Sequence, residues 1–144
     1  MNRSALTGAR GHLIDQLLYF DEQLPTFLDT YYPEPNKARS TMYTKIEEYV
    51  EVLERMLVLN DDELGRQLSE VAVIGSSINV CYEDDEQSVE CYTIVFPTEV
   101  DLEQNRISLF SPIGSQLLMR TNGESFLLEA PAANYRIRVL ETKL

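Results

Sequence analysis

Two cysteines, one histidine and several clustered acids are the side chains most capable of chemistry in this chain. Cys81 and Cys91 are too few for a disulfide framework and lack the spacing of a zinc site. They read as two reduced, partly buried thiols. His12 has no cysteine or serine motif beside it, which makes it a poor general base. It adjoins Leu13 and reads as a surface or seam-edge residue. Glu83-Asp84-Asp85-Glu86 lacks the spacing and glycine of a calcium loop and reads as a solvated hairpin turn. Asp29 and Glu34 stand on either side of Tyr31-Tyr32-Pro33. The plain reading makes them solvated turn residues. There is no glycine-rich phosphate loop, paired-histidine motif or nucleophile elbow, so the chain is not expected to be an enzyme.

The elements that must position these residues belong to 144 residues, enough for one compact domain or a small domain with a helical appendage. Acids outnumber bases 24 to 12, for a net charge of -12. Such a surface repels phosphate and disfavours tight, autonomous binding to nucleic acid. An acidic protein working near nucleic acid would dock on another protein. No run of 18 apolar residues could span a membrane. The stretch from Met1 to Phe20 carries Arg3, Arg10, His12 and Asp15 and does not read as a secretory signal. A cytoplasmic protein is expected.

The apolar pattern changes character near residues 60 to 70. Before it, Leu13, Leu17, Phe20, Leu24, Phe27 and Tyr31 follow spacings of 4, 3, 4, 3, 4, one helical stripe. Met42, Ile46, Tyr49, Leu53 and Met56 repeat 4, 3, 4, 3. Pro33 and Pro35 between the stripes forbid a continuous helix. The two stripes are expected to close on each other as an antiparallel helical hairpin over residues 1–64. Each arm would have about 20 residues and a length of roughly 30 Å. Pro25 should kink or split the first arm, and Ser40 or Thr41 can cap the second. The acidic join Asn60 to Gly65 reads as a linker or helix exit.

After the join the pattern is strand-like. Val71 to Tyr82 and Val89 to Phe96 are β-branched segments joined by a polar loop over Glu83 to Ser88. Arg106 to Phe110 forms a short third strand. Ser111 caps a helix that Pro112 opens and that runs from Ile113 to Met119. Thr121-Asn122-Gly123 turns the chain into two more strands, Glu124 to Ala130 and Tyr135 to Leu140. The fold class is α+β, with a mostly antiparallel sheet and one short helix over residues 69–144.

The order strand, strand, strand–Ser-Pro–helix–turn, strand, strand resembles the C-terminal domain of the bacterial GreA/GreB transcription factors. Ile74-Gly75-Ser76-Ser77-Ile78-Asn79-Val80 is similar to the family's opening, glycine-marked strand. Arg106-Ile107-Ser108-Leu109-Phe110-Ser111-Pro112-Ile113-Gly114 is similar to its strand-to-helix signature, an Ile-Ser followed by Ser-Pro-Ile and a small residue. Asn122-Gly123-Glu124, Phe126 to Pro131 and Tyr135 to Leu140 fall where the family has its turn and closing strands.

The resemblance implies an FKBP-like C-terminal fold preceded by a helical hairpin. It also implies binding to RNA polymerase, with the hairpin in the secondary channel and the globular part on the channel rim. Phe110, Ser111, Pro112 and Ile113 would then form a docking lip, although a helix cap and core position explain the last three as well. Tyr31 and Tyr32 would be tip anchors, or the end and cover of the seam. In the family's cleavage factors two tip acids help hold the polymerase's catalytic magnesium. Asp29 and Glu34 are the candidates here, but the family's Asp-x-x-Glu tip motif is absent. No cofactor of the chain's own is expected. Shorter arms beside an intact globular half look more like the Rnk-type regulators, which are not expected to promote cleavage. Two further alternatives are a prolyl isomerase, which would need a concave aromatic pocket, and a homodimer formed by hairpin residues such as Phe20, Phe27 and Tyr49 if they are exposed.

Overall fold

The computed structural model describes residues 3–85 and 88–144, with side chains of the first helix from Thr7 onward. Glu86 and Gln87 of the expected acidic loop, and Met1 and Asn2, lie outside the described residues. The chain divides into two compact units, Met1–Gly65 and Arg66–Leu144.

The first unit contains helices α1 (Arg3–Tyr31) and α2 (Lys37–Leu57) and most of α3 (Asp61–Leu68). Antiparallel pairing follows from three cross-contacts, in which rising numbers on one arm meet falling numbers on the other. Asp29 meets Arg39 near the turn, and Gln16 meets Tyr49 midway. At the far end the Arg10 guanidinium donates to the Leu59 carbonyl at 2.7 Å and pairs with Asp61 at 3.0 Å. All five residues of the second stripe, from Met42 to Met56, are buried. On α1 the buried residues are Ala9, Leu13, Gln16, Phe20, Phe27 and Leu28, while Leu17 and Leu24 of the expected stripe are only half-buried and Tyr31 at its end is 39% exposed. Phe20 stands edge-on to Phe27 at 5.8 Å and to Tyr49 at 6.2 Å, a geometry aromatic quadrupoles favour.

Four expectations for this half are corrected. Pro25 does not split the first arm, because α1 runs through it and reaches 29 residues. Pro25 and Asp21 both lie on the exposed side, where water can satisfy the carbonyl that proline leaves without a donor. The second arm starts earlier than Ser40, capped by Asn36, whose side chain accepts from the Arg39 N–H at 3.2 Å. Asparagine caps as well as serine, and it follows the proline pair directly. The acidic join is no linker but the start of α3. Asn60 Oδ1 accepts from the Glu63 N–H at 2.9 Å, and Asp61, Asp62 and Glu63 occupy the first turn, where carboxylates favour the positive end of the helix dipole. Finally, Phe20, Phe27 and Tyr49 are only 2%, 4% and 0% exposed. The observation that motivated a homodimer is therefore absent.

The second unit is a five-stranded sheet in the order β3-β2-β1-β5-β4. Its strands are β1 (Ser77–Tyr82), β2 (Ser88–Val95), β3 (Arg106–Ser108), β4 (Ser125–Glu129) and β5 (Asn134–Lys143). All neighbours pair antiparallel except β2 with β3. That parallel pair needs a crossover, which two 3-10 turns, Pro97–Glu99 and Leu102–Gln104, supply. The first strand begins later than expected. Val71 makes a single bridge to Thr121, and the chain turns at Gly75, whose φ of +101° suits glycine. Ile78, Val80, Ile94, Ile137 and Val139 are buried in the sheet, together with Leu117 of α4 (Pro112–Leu117). The molecule is thus α+β, with N-terminal helices followed by a mostly antiparallel sheet.

Thr142 of β5, opposite Ile78, is 2% exposed, and its hydroxyl has no hydrogen-bond partner among the described residues. Replacing it with valine keeps the branched shape and removes an unpaid desolvation. Thr142→Val is expected to raise the unfolding free energy by about 1 kcal/mol. A urea titration followed by circular dichroism measures this.

Candidate functional site

The segment from Ser108 to Gln116 is built as a rigid corner between β3 and α4. The Ser108 hydroxyl accepts from the Phe110 N–H at 3.0 Å. The Ser108 carbonyl accepts from the Ser111 N–H at 2.9 Å and from the Ser111 hydroxyl at 2.7 Å. Ser111 Oγ in turn accepts from the Gly114 N–H at 2.9 Å, capping α4, and Pro112 takes the first helical position. A Cβ on Gly114 would lie 2.1 Å from the Ser108 carbonyl oxygen, so only glycine lets the helix start approach the strand this closely.

The Gln116 side chain locks the other side of α4. Its amide nitrogen donates to the carbonyls of Pro112 at 2.9 Å and Glu129 at 2.7 Å, while its oxygen accepts from the Glu129 N–H at 2.9 Å. It pairs with the edge strand β4 as a backbone peptide would. The corner thus presents Pro112 exposed, with Phe110, Ser111 and Ile113 half-buried, on a backbone held by these internal hydrogen bonds. Ser111 serves the cap; the surface offered to solvent comes chiefly from Pro112.

Beside this corner a pocket of about 570 Å³ opens between the β1–β2 and β4–β5 hairpins, with Ile113 in its lining. Tyr82, Tyr92 and Tyr135 are among its walls. Periodicity along single strands gives no sign of it, because four strands and one helix contribute.

The second group of candidate residues lies at the turn of the hairpin. Asp29 sits in the last turn of α1, 70% exposed, with Oδ1 2.9 Å from an Arg39 guanidinium nitrogen. Glu34 lies exposed in the turn itself. Tyr31 packs edge-on against Phe27 at 5.1 Å. The Tyr32 N–H donates to the Leu28 carbonyl at 2.7 Å, and its carbonyl accepts from Arg39 at 2.9 Å. Arg39 therefore ties both sides of the turn. Sequence reasoning missed it, since nothing in helical spacing links a residue to partners seven and ten positions back across a proline pair.

Among the described residues no group of three or more histidine, cysteine or acidic side chains could hold a metal ion. Cys81 is buried and Cys91 exposed, both free. No helix among them is long and apolar enough to cross a membrane.

The fold, helices followed by a mostly antiparallel five-stranded sheet, is similar to that of a solved "prokaryotic transcription elongation factor GreA/GreB" from Nitrosomonas europaea. The two align with a TM-score of 0.57 at 24% identity, over 85% of this chain and 93% of that one. A family model described as "Transcription elongation factor, GreA/GreB, C-term" matches residues 67–143, and the chain belongs to the GreA/GreB family of transcription elongation factors. It is similar to transcription elongation factor GreA of Chloroflexus aggregans, with 32% identity over 112 residues, 78% of this chain and 69% of the relative. It is similar also to GreA of Caldanaerobacter subterraneus subsp. tengcongensis, with 37% identity over 102 residues, 68% of this chain and 62% of the relative.

Proposed function

We propose that this protein binds bacterial RNA polymerase at the secondary channel and regulates elongation by occupying it. The observation that carries the reading is the family match over residues 67–143, which includes the whole Ser108–Gln116 corner. In this reading the corner docks through Phe110, Pro112 and Ile113, with Ser111 holding the helix start in place. The hairpin enters the channel, and Tyr31 and Tyr32 lead at its turn. The net charge of -12 suits a basic channel mouth and speeds encounter with it. The protein acts where the polymerase is, in the cytoplasm, and performs no chemistry itself.

Within this class the turn favours the Rnk-type reading over stimulation of transcript cleavage. Asp29 faces a guanidinium at 2.9 Å, so a magnesium ion brought to it would stand beside a fixed positive charge. An exposed pair of this kind is worth only about 0.2–1 kcal/mol, but it opposes the metal where a cleavage factor needs attraction.

Capture of polymerase from lysate at low salt tests the docking. Ile113→Asp is expected to weaken capture at least about tenfold, since a charge replaces an apolar contact. Retained circular dichroism would show that the variant folds. No recovery of polymerase subunits by the unmodified protein would sink the proposal. A backtracked-complex assay tests the second point, where the protein is expected to stimulate no cleavage. Cleavage that Asp29→Ala or Glu34→Ala abolishes would restore the metal-holding role.

A further inference from the structure

The pocket beside Ile113 has a character that a docking lip does not require. Tyr82 and Tyr92 join their hydroxyls at 2.6 Å, and Tyr135 stands edge-on to Tyr82 at 5.7 Å. Burial, followed by the hydrogen bond shared with Tyr82 and the nearby Glu90 carboxylate, pushes the Tyr92 hydroxyl well above its ordinary range. The Tyr92 hydroxyl therefore stays neutral, and the two rings offer acceptor and π surface. Leu128 and Ile113 supply apolar contact.

Around these walls stand three carboxylates, Asp84, Asp85 and Glu90, against one guanidinium, Arg136. Two of the acids are oriented by neutral amides. Asp84 accepts from the Arg136 backbone N–H at 3.3 Å, and Glu90 accepts from the Asn105 side chain at 3.4 Å. Such donors hold a carboxylate in place without cancelling its charge. Among the described residues none of the three is in an ion pair. Three exposed carboxylates against one guanidinium favour a cation here, and aromatic faces beside them favour a planar one with several donors. An anion would meet three like charges. A purely apolar side chain would leave the acids unused.

We infer that this pocket takes an arginine side chain from an extended segment of the protein partner, with the guanidinium against the tyrosine rings and its N–H groups on the rim carboxylates. The partner's identity rests on the polymerase reading above; the chemistry of the guest does not.

The test uses the full chain, labelled with ¹⁵N, and short capped peptides at low salt. An arginine peptide is expected to give saturable shifts at Tyr82, Tyr92, Tyr135 and Ile113. Its citrulline counterpart, nearly the same shape without the charge, should bind about tenfold more weakly. The double variant Asp85→Asn with Glu90→Gln should lose a similar factor while its other resonances stay in place. Equal response to arginine and citrulline, preference for a proline peptide, or no response from the folded protein would each overturn the inference. The titration contains no polymerase. Arginine binding with failed polymerase capture removes the docking reading alone, and the converse removes the pocket alone.

Discussion

Gly114→Ala is expected to cost the sheet unit about 3 kcal/mol or more, near the upper end for a single methyl group. The added Cβ would sit 2.1 Å from the Ser108 carbonyl oxygen and 2.9 Å from Ser111 Oγ. The first of these is backbone, and it already accepts both the N–H and the hydroxyl of Ser111. The clash cannot be relieved by a rotamer change. Either β3 moves away from its partner β2 or the α4 cap opens, and the Ser111 bond to residue 114 goes with it. Urea denaturation should show a lowered midpoint, and Ser111→Ala, which loses only the cap bonds, should cost about 1 kcal/mol. An alanine variant as stable as the parent would mean that the corner is not rigid, and the proposal that it is a preformed docking surface would fall too.

This corner also shows what a sequence makes legible. Ser111 and Pro112 act within one helical turn of themselves, and the cap, the helix start and the strand before them read correctly from local pattern. The need for a small residue at Gly114 belongs to the recognised Ser-Pro-Ile signature, but its cause is a carbonyl six positions earlier that only folded geometry brings near. Gln116 carried no signal, because its partner Glu129 lies across a turn on an edge strand. Asn60 is a different kind of miss. The pattern Asn60-x-x-Glu63 is a cap signature, but the acidic run ending in Gly65 fits a linker or helix exit as local pattern equally well. Gly65 in fact lies inside α3. At the hairpin turn the proline pair located the break, while Arg39, which holds it, stayed invisible. The tyrosine pocket combines residues from both hairpins and α4, so no single stretch of chain announces it.

The second large effect concerns the seam of the hairpin. Both stripes repeat in 4s and 3s, and apolar stripes of that kind can slide by a heptad with little loss of burial. One buried polar contact breaks the degeneracy. The Tyr49 hydroxyl donates to the Gln16 side-chain oxygen, with Tyr49 fully buried and Gln16 nearly so. Slipped by a heptad in one direction, Tyr49 would face Ala9 and Gln16 would face Met42; in the other, Tyr49 would meet Gln23, but Gln16 would be left against Met56. Tyr49→Phe removes the donor and is expected to destabilise the hairpin unit by about 2 kcal/mol, the cost of a buried acceptor losing its partner. Adding Gln16→Leu replaces both polar groups with apolar ones of similar size and should recover most of that loss, giving a strong non-additivity in a double-mutant cycle. The recovered stability would come without the register signal. The double variant should therefore hold its helical circular dichroism while its spectrum of seam methyl resonances broadens or multiplies. Additive effects, or a double variant with a single sharp set of seam resonances, would show that apolar packing alone selects the pairing. The Phe20–Tyr49 ring contact would then be the feature that sets it.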